Sequence, residues 1–187
     1  MRTDGDASLL ADLRGRNAAA RRAAEHELFE RYRESVDRLL RRMLGHDTDD
    51  CLQEVFVDVF RGLSGFEGKA RLSTWIYRIA LRRAWKCAAA RSRNEQEGEA
   101  PERVEQAAAP DAAAGTEAVV QGEELAQRFA DALQRIDLDQ RTVLALAAID
   151  GLSPSEVAEV LGLPVGTVHS RLARARVRMR ELLGLDA

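Results

Sequence analysis

The amino-acid sequence predicts an all-α protein of two small helical domains joined by an acidic flexible linker, and three observations lead there. Ala, Leu, Arg and Glu are abundant while aromatic residues make up only 5% of the chain, a balance that favours helix. Apolar residues recur every three or four positions in two separate stretches, as amphipathic helices require. Between the stretches, residues 94–124 are rich in Glu, Ala, Gln, Gly and Pro and nearly empty of large apolar residues before Val119.

In the first stretch, residues 25–44 carry Leu28, Tyr32, Val36, Leu39, Leu40 and Met43 on one helical face, and residues 45–48 break the pattern. Residues 49–63 resume it with Leu52, Val55, Phe56, Val59 and Phe60, after which Gly62, Gly65 and Gly68 mark a loop. Ser73 or a neighbour suits the N-cap of a helix running to about residue 91, with Trp75, Ile76, Ile79 and Ala80 facing inward. The 94–124 segment cannot bury enough apolar surface to offset the entropy of ordering it. It reads as a linker, with a short polar helix around its alanine runs as the alternative.

The second stretch opens with Leu125, Phe129, Leu133 and Ile136, followed by a short, largely buried helix over residues 141–150. Next comes Ser153-Pro154-Ser155-Glu156. Ser153 can accept from first-turn amides, Pro154 suits the first helical position and Glu156 completes a capping box. Gly162-Leu163-Pro164 makes a tight turn, and Val165, Val168, Leu172, Ala175, Met179 and Leu182 then alternate in steps of three and four. A capped short helix, a Gly-containing turn and a second helix form a helix-turn-helix pattern.

Charge separates the function classes. The net charge of -3 argues against a nucleic-acid binder, but it divides into +5 for residues 1–93, -8 for 94–124 and 0 for 125–187. Every charged residue within 69–93 and within 171–180 is basic, so the acidic total hides two local cationic surfaces. On the second helix of the capped motif, Thr167, Ser170, Arg171, Arg174 and Arg178 project away from the apolar seam. Such a stripe can reach base edges and grip phosphates. The bland alternative is a solvated arginine face.

Nothing in the sequence suggests chemistry. Cys51 and Cys87 form no CxxC pair and read as two reduced, partly buried thiols; His26, His46 and His169 are scattered. No nucleophile–base set, phosphate loop or metal cluster is present, so the chain is expected to be no enzyme and to need no cofactor. No apolar run approaches the ~20 residues of a membrane span. The first residues, with Asp4 and Asp6, lack the apolar core of a signal peptide. A cytoplasmic protein without membrane insertion is expected.

Two sets of motifs carry a family resemblance. The first runs Leu28-Phe29-Glu30-Arg31-Tyr32, then residues 50–56 with Asp50, Gln53 and Glu54, then Phe66-Glu67-Gly68 and Thr74-Trp75-Ile76-Tyr77-Arg78-Ile79-Ala80. It is similar to region 2 of extracytoplasmic-function (ECF) sigma factors. The second comprises residues 132–144, Asp150-Gly151-Leu152-Ser153 and residues 156–176. It closely resembles their region 4. Both in this order cover most of the chain outside the linker and the first ~20 residues, far more specific than either alone.

The resemblance implies roles. Residues 1–93 would be sigma region 2, binding core RNA polymerase and reading and melting the downstream (-10) element. Residues 94–124 would be the linker, threading toward the polymerase channels. Residues 125–187 would be sigma region 4, reading the upstream (-35) element. Asp50, Gln53 and Glu54 would dock on the β′ clamp helices, and region 4 would meet the β flap. The 66–73 loop would capture a flipped base, with Phe66, Lys69, Arg71, Arg78, Arg82, Arg83 and Lys86 as downstream-element candidates. Trp75 falls on the apolar face and reads as core. Thr167, His169, Ser170, Arg171, Arg174 and Arg178 are the upstream-element candidates. Promoter DNA and an anti-sigma factor complete the implied partners.

Four departures from the family pattern matter. The 45–49 connection is shorter than in many relatives. Leu81-Arg82 stands where Arg-Asn is frequent, Lys86 where Asp is frequent, and His169 where Lys is common. Arg82 and Lys86 would trade base discrimination for phosphate attraction. Two rivals, a stand-alone helix-turn-helix regulator and an anti-sigma-like interaction protein, leave the first or second set of motifs unexplained.

Overall fold

A computed structural model describes residues 4–15, 17–96, 117–148 and 151–185. Among the described residues it holds eight α-helices and a short 3-10 turn: α1 (Asp4–Arg14), α2 (Ala18–Leu44), α3 (Asp49–Gly62), the turn (Leu63–Gly65), α4 (Leu72–Gln96), α5 (Glu117–Gln134), α6 (Leu138–Ala148), α7 (Pro154–Leu161) and α8 (Val165–Leu183). Residues 97–116, the heart of the expected linker, lie outside the described residues, and helix reaches into both ends of the 94–124 segment.

Helices α2, α3 and α4 pack around Leu28, Val36, Leu39, Leu40, Val55, Val59, Ile76 and Ala80, all buried as their spacing predicts. Helix α1 lies on α2 and buries Leu9 and Leu13; the sequence reading assigned it no element, because a single Leu-rich turn is too short a periodic signal. Asn17 caps α2 by accepting from the Ala19 and Ala20 amides. At its far end Gly45 takes φ 82° and donates its N–H to the Arg41 carbonyl, which allows the abrupt turn into α3. Gly62 is required for another reason. A Cβ there would lie 2.9 Å from the Trp75 ring. Helix α4 starts at Leu72, so Ser73 sits inside its first turn rather than capping it.

In the second half, α6, α7 and α8 share buried Val143, Leu146, Val157, Val168 and Leu172. The capping box is present: the Glu156 amide donates to Ser153 Oγ at 3.3 Å, and the Ser153 amide donates to Glu156 Oε2 at 3.0 Å. Gly162 closes α7 in the left-handed conformation. The pattern fails at the start of α5. Leu133 and Ile136 are buried, but Leu125 and Phe129 are 60% and 40% exposed.

The two halves do not stand apart. Helices α5 and α6 pack on α2, and α7 packs on α4. Val143, Leu146 and Val157 belong to the same apolar cluster as Val36 and Ile76. The register between the halves is set by polar ties. Gln134 donates to the Arg42 carbonyl at 3.0 Å, Arg141 to the Met43 carbonyl at 2.8 Å, and the Trp85 indole to Thr142 Oγ1 at 3.3 Å.

Replacing Ser153 with Ala removes the acceptor at the head of α7 and one arm of the capping box. We expect about 1 kcal/mol lower stability in urea denaturation, with the helical signal of the native baseline unchanged.

Candidate nucleic-acid interface

Helix α8 presents the stripe that the sequence predicts. Val168, Leu172, Ala175 and Met179 are buried, while His169, Ser170, Arg174 and Arg178 are exposed and Thr167 and Arg171 are half-buried. The i, i+3, i+4 spacing puts the seam and the stripe on opposite sides of one helix. Three of the polar groups are already oriented. Ser170 Oγ donates to the Thr167 carbonyl, Arg174 Nε donates to the Ser170 carbonyl, and Arg178 pairs with Glu181 at 2.9 Å. Arg171 reaches Asp139 at the start of α6 at 3.0 Å. The pair is partly exposed, so it holds the guanidinium weakly.

On α3, Asp50, Gln53 and Glu54 are all exposed and fall on one face by their i, i+3, i+4 spacing. Helix α4 supports that face from behind. Arg83 donates to Glu54 at 2.8 Å and to Asp58 at 2.5 Å. Its hydrogen bond holds the Asp58 carboxyl below its ordinary range, and Asp58 in turn raises the Arg83 guanidinium. Arg83 therefore points at α3. In this arrangement it ties α4 to α3.

The rest of the basic run divides by what each side chain touches. Lys69 is exposed beside Glu67. Arg82 and Lys86 are exposed on α4. Arg71 pairs with Glu156 of α7, and Arg78 donates to the Glu159 and Val160 carbonyls at 2.6 and 3.3 Å. Those carbonyls are at the C-terminal end of α7, where no intrahelical donor follows. Two sequence-predicted DNA contacts thus hold α7 at both of its ends in this arrangement. Phe66, another downstream-element candidate, is 6% exposed and packs on Trp75 with ring centroids 5.1 Å apart. It offers no free stacking face, but it lines a cleft of about 300 Å³ with Leu10, Arg14, Gly68 and Arg71. Arg14, outside every sequence motif, donates to the Phe66 carbonyl and fixes the loop against α1. Nothing in the sequence marks it, because the tie spans 52 residues.

Arg91 was also missed. It donates to the carbonyls of Leu44, His46 and Asp47 at 2.8, 3.2 and 2.6 Å and so braces the short α2–α3 connection. Among the described residues there is no cluster of His, Cys, Asp and Glu able to hold a metal, and no helix long and apolar enough to cross a membrane.

Comparison with known proteins matches two family models to this chain. The Sigma-70 region 2 family matches residues 28–94, and the Sigma-70, region 4 family matches residues 126–179. The ECF RNA polymerase sigma-E factor of Escherichia coli (strain K12) is 33% identical over 154 residues, spanning 80% of this chain and 81% of that protein. The sigma-E factor of Haemophilus influenzae is 32% identical over 161 residues, with 80% and 82% covered. The solved structure of CnrH in complex with the cytosolic domain of CnrY is similar at a TM-score of 0.67 and 26% identity, over 98% of this chain and 100% of that one. The sigma factor RpoE in complex with the anti-sigma factor NepR, from Bartonella quintana, shares the fold at a TM-score of 0.67 and 24% identity, over 87% and 98%.

The Glu156 carboxyl is held below its ordinary range, first by the Ser153 amide, then by the Ser153 hydroxyl and by Arg71. A folded pKa below the unfolded one gives stability that is full above the ordinary carboxylate range and is lost as pH falls through the folded value. Acid therefore releases the α7 cap and the Arg71 tie together. We expect Glu156→Gln to be less stable than wild type near neutrality and to lose less stability on acidification, as followed by urea denaturation at a series of acidic pH values.

Proposed function

The chain belongs to the ECF sigma factors, which direct RNA polymerase to promoters, and from that premise we propose a division of labour among its residues. The observation that carries it is the outward arginine stripe on α8, presented by a capped α7 and a Gly turn. Residues 1–93 bind core polymerase and the downstream element, residues 94–124 link the halves, and residues 125–187 read the upstream element. Asp50, Gln53 and Glu54 meet the clamp helices of the β′ subunit. Their exposure on one face of α3, stiffened by Arg83 through Glu54, supports that role. Thr167, His169, Ser170, Arg171, Arg174 and Arg178 lie along the duplex, with base contacts at the start of α8 and phosphate contacts toward its end.

The cleft between α1 and the 66–73 loop takes a flipped base of the melted strand. Its volume suits a single base, and its lining offers both donors and acceptors, Arg14 and Arg71 beside Asp6 and Glu67. Arg82 and Lys86, exposed on α4, attract the strand backbone. Arg71 and Arg78 join them only after α7 leaves α4, because both are engaged by α7 in the closed arrangement. Promoter binding is thus coupled to separation of the halves. The linker keeps them tethered, so two modest contacts act as one event. The protein works in the cytoplasm on polymerase and promoter DNA, performs no covalent chemistry on either, and is held by an anti-sigma partner when idle. The solved complexes of CnrH with CnrY and of RpoE with NepR support that last assignment.

Run-off transcription with core polymerase and a promoter library separates the assigned roles. Gln53→Arg with Glu54→Arg is expected to weaken holoenzyme formation with helicity intact. Arg171→Ala and Arg174→Ala are expected to leave holoenzyme formation alone and to weaken upstream-element binding, by ~1–3 kcal/mol where a base contact is lost or with a shallower salt dependence where a phosphate contact is lost. Unchanged affinity of the α3 variant for core polymerase contradicts the first assignment, and normal footprints of the α8 variants at several salt concentrations contradict the second.

A further inference from the structure

The function outlined above uses neither cysteine. The sequence reads them as separate reduced thiols 36 positions apart, yet the fold brings Cys87 Sγ of α4 to 3.2 Å from Cys51 Sγ of α3. Both are free. We propose that Cys51 and Cys87 form an oxidation site, at which a hydroperoxide closes an intramolecular disulfide between α3 and α4.

The seam around the pair favours that outcome. Along α4, Arg83, Cys87 and Arg91 follow at intervals of four and so face the same way. Arg83 grips Glu54 and Asp58 of α3 on one side of the thiols. Arg91 grips the carbonyls of Leu44, His46 and Asp47 on the other. The two helices are therefore pinned on both sides of the sulfur atoms, and the thiols cannot drift apart without breaking one of the clamps. A disulfide needs the sulfurs at about 2.05 Å. The remaining approach of about an ångström is within reach of side-chain rotation about χ1.

Accessibility assigns the order of events. Cys51 is buried at 5% exposure, whereas Cys87 is half-buried and open to small oxidants. Burial, and then the hydrogen bond with Cys87, push the Cys51 thiol up to about 12, so Cys51 stays protonated and does not initiate. Cys87 gives up its thiol proton and attacks the distal oxygen of the hydroperoxide. The O–O bond breaks, the departing alkoxide or hydroxide takes a proton, and Cys87 becomes a sulfenic acid. The Cys51 sulfur then attacks the Cys87 sulfur. The S–O bond breaks, and the hydroxide leaves as water with the Cys51 proton. Two thiols have been oxidised by two electrons and one peroxide reduced. The product ties α3, whose outer face carries Gln53 and Glu54, to α4 by a bond that a dithiol reductant reverses.

The test uses the full-length chain and hydrogen peroxide. Intact mass should fall by two hydrogens with no oxygen added, and non-reducing peptide mapping should recover Cys51 joined to Cys87 in the monomer. The Tm of the oxidised chain should rise by several degrees and return after dithiothreitol, because the cross-link restricts the unfolded chain. Cys51→Ala removes the second thiol, and its peroxide-treated form should carry a sulfenic acid at Cys87 that dimedone traps. An unchanged mass, oxygen addition to the wild-type chain without the disulfide, or disulfide-linked dimers in place of the internal bond overturns the proposal. So does a Cys51→Ala chain that dimedone does not label at Cys87.

Discussion

The C-terminal end of α2 is the point on which the arrangement turns. The last four carbonyls of a helix have no intrahelical donor, and here each is met from a different place. Gly45 supplies the N–H for Arg41, Gln134 of α5 reaches Arg42, Arg141 of α6 reaches Met43, and Arg91 of α4 reaches Leu44. One helix end thus gathers its own loop, the last helix of its own half and two side chains of the other half. Arg141 is drawn deep enough to be held by carbonyls alone, which lowers its affinity for the proton through desolvation. Removing the second half leaves the Arg42 and Met43 carbonyls to water, at modest cost because a solvated carbonyl exchanges one partner for another.

Magnitudes decide what holds the halves together. The Arg71–Glu156 pair is partly exposed, with side chains 42% and 31% accessible, and such pairs contribute at most about 1 kcal/mol. Full burial of a single Val or Leu side chain contributes roughly 1.5–3 kcal/mol, and Val143, Leu146 and Val157 share one cluster with the first half. Apolar burial therefore provides the attraction, and the arginines provide register. That separation suits a switch. A polymerase surface that binds the opened halves more tightly than the closed ones shifts the population by that difference alone. Under the proposed function, Arg71 and Arg78 would then exchange carboxylate and carbonyl partners for phosphates, which offer a charge-assisted hydrogen bond at least as strong.

Much of this was legible in the sequence. The 3.6-residue period located α2, α3, α4, α7 and α8, and Ser153 with Glu156 marked the head of α7 because a capping box is a local device readable within four residues. The family motifs fixed the identity. What sequence could not reveal is which partner each outward group finds. Leu125 and Phe129 have the spacing of a core face but stay exposed among the described residues, since periodicity reports a face and not its cover. Arg71, Arg78, Arg83 and Arg91 look alike in an all-basic run, yet Arg78 ties α4 to α7, Arg71 ties the loop before α4 to α7, Arg83 ties α4 to α3 and Arg91 braces a loop. Arg14 and the cysteine pair depend on contacts 52 and 36 residues apart, beyond the reach of any local pattern.

The central proposal, that Arg71 and Arg78 are held by α7 in the free chain and released to DNA in the holoenzyme, is a claim about distance. Donor and acceptor dyes attached through non-natural amino acids at Ser92 on α4 and Arg176 on α8, both exposed, report it by energy transfer. The free protein should show high transfer, and the same protein bound to core polymerase and promoter DNA should show low transfer while run-off transcript accumulates. Transfer that stays equally high in an actively transcribing holoenzyme contradicts the account, because Arg71 and Arg78 would then remain on α7 and could not serve the DNA.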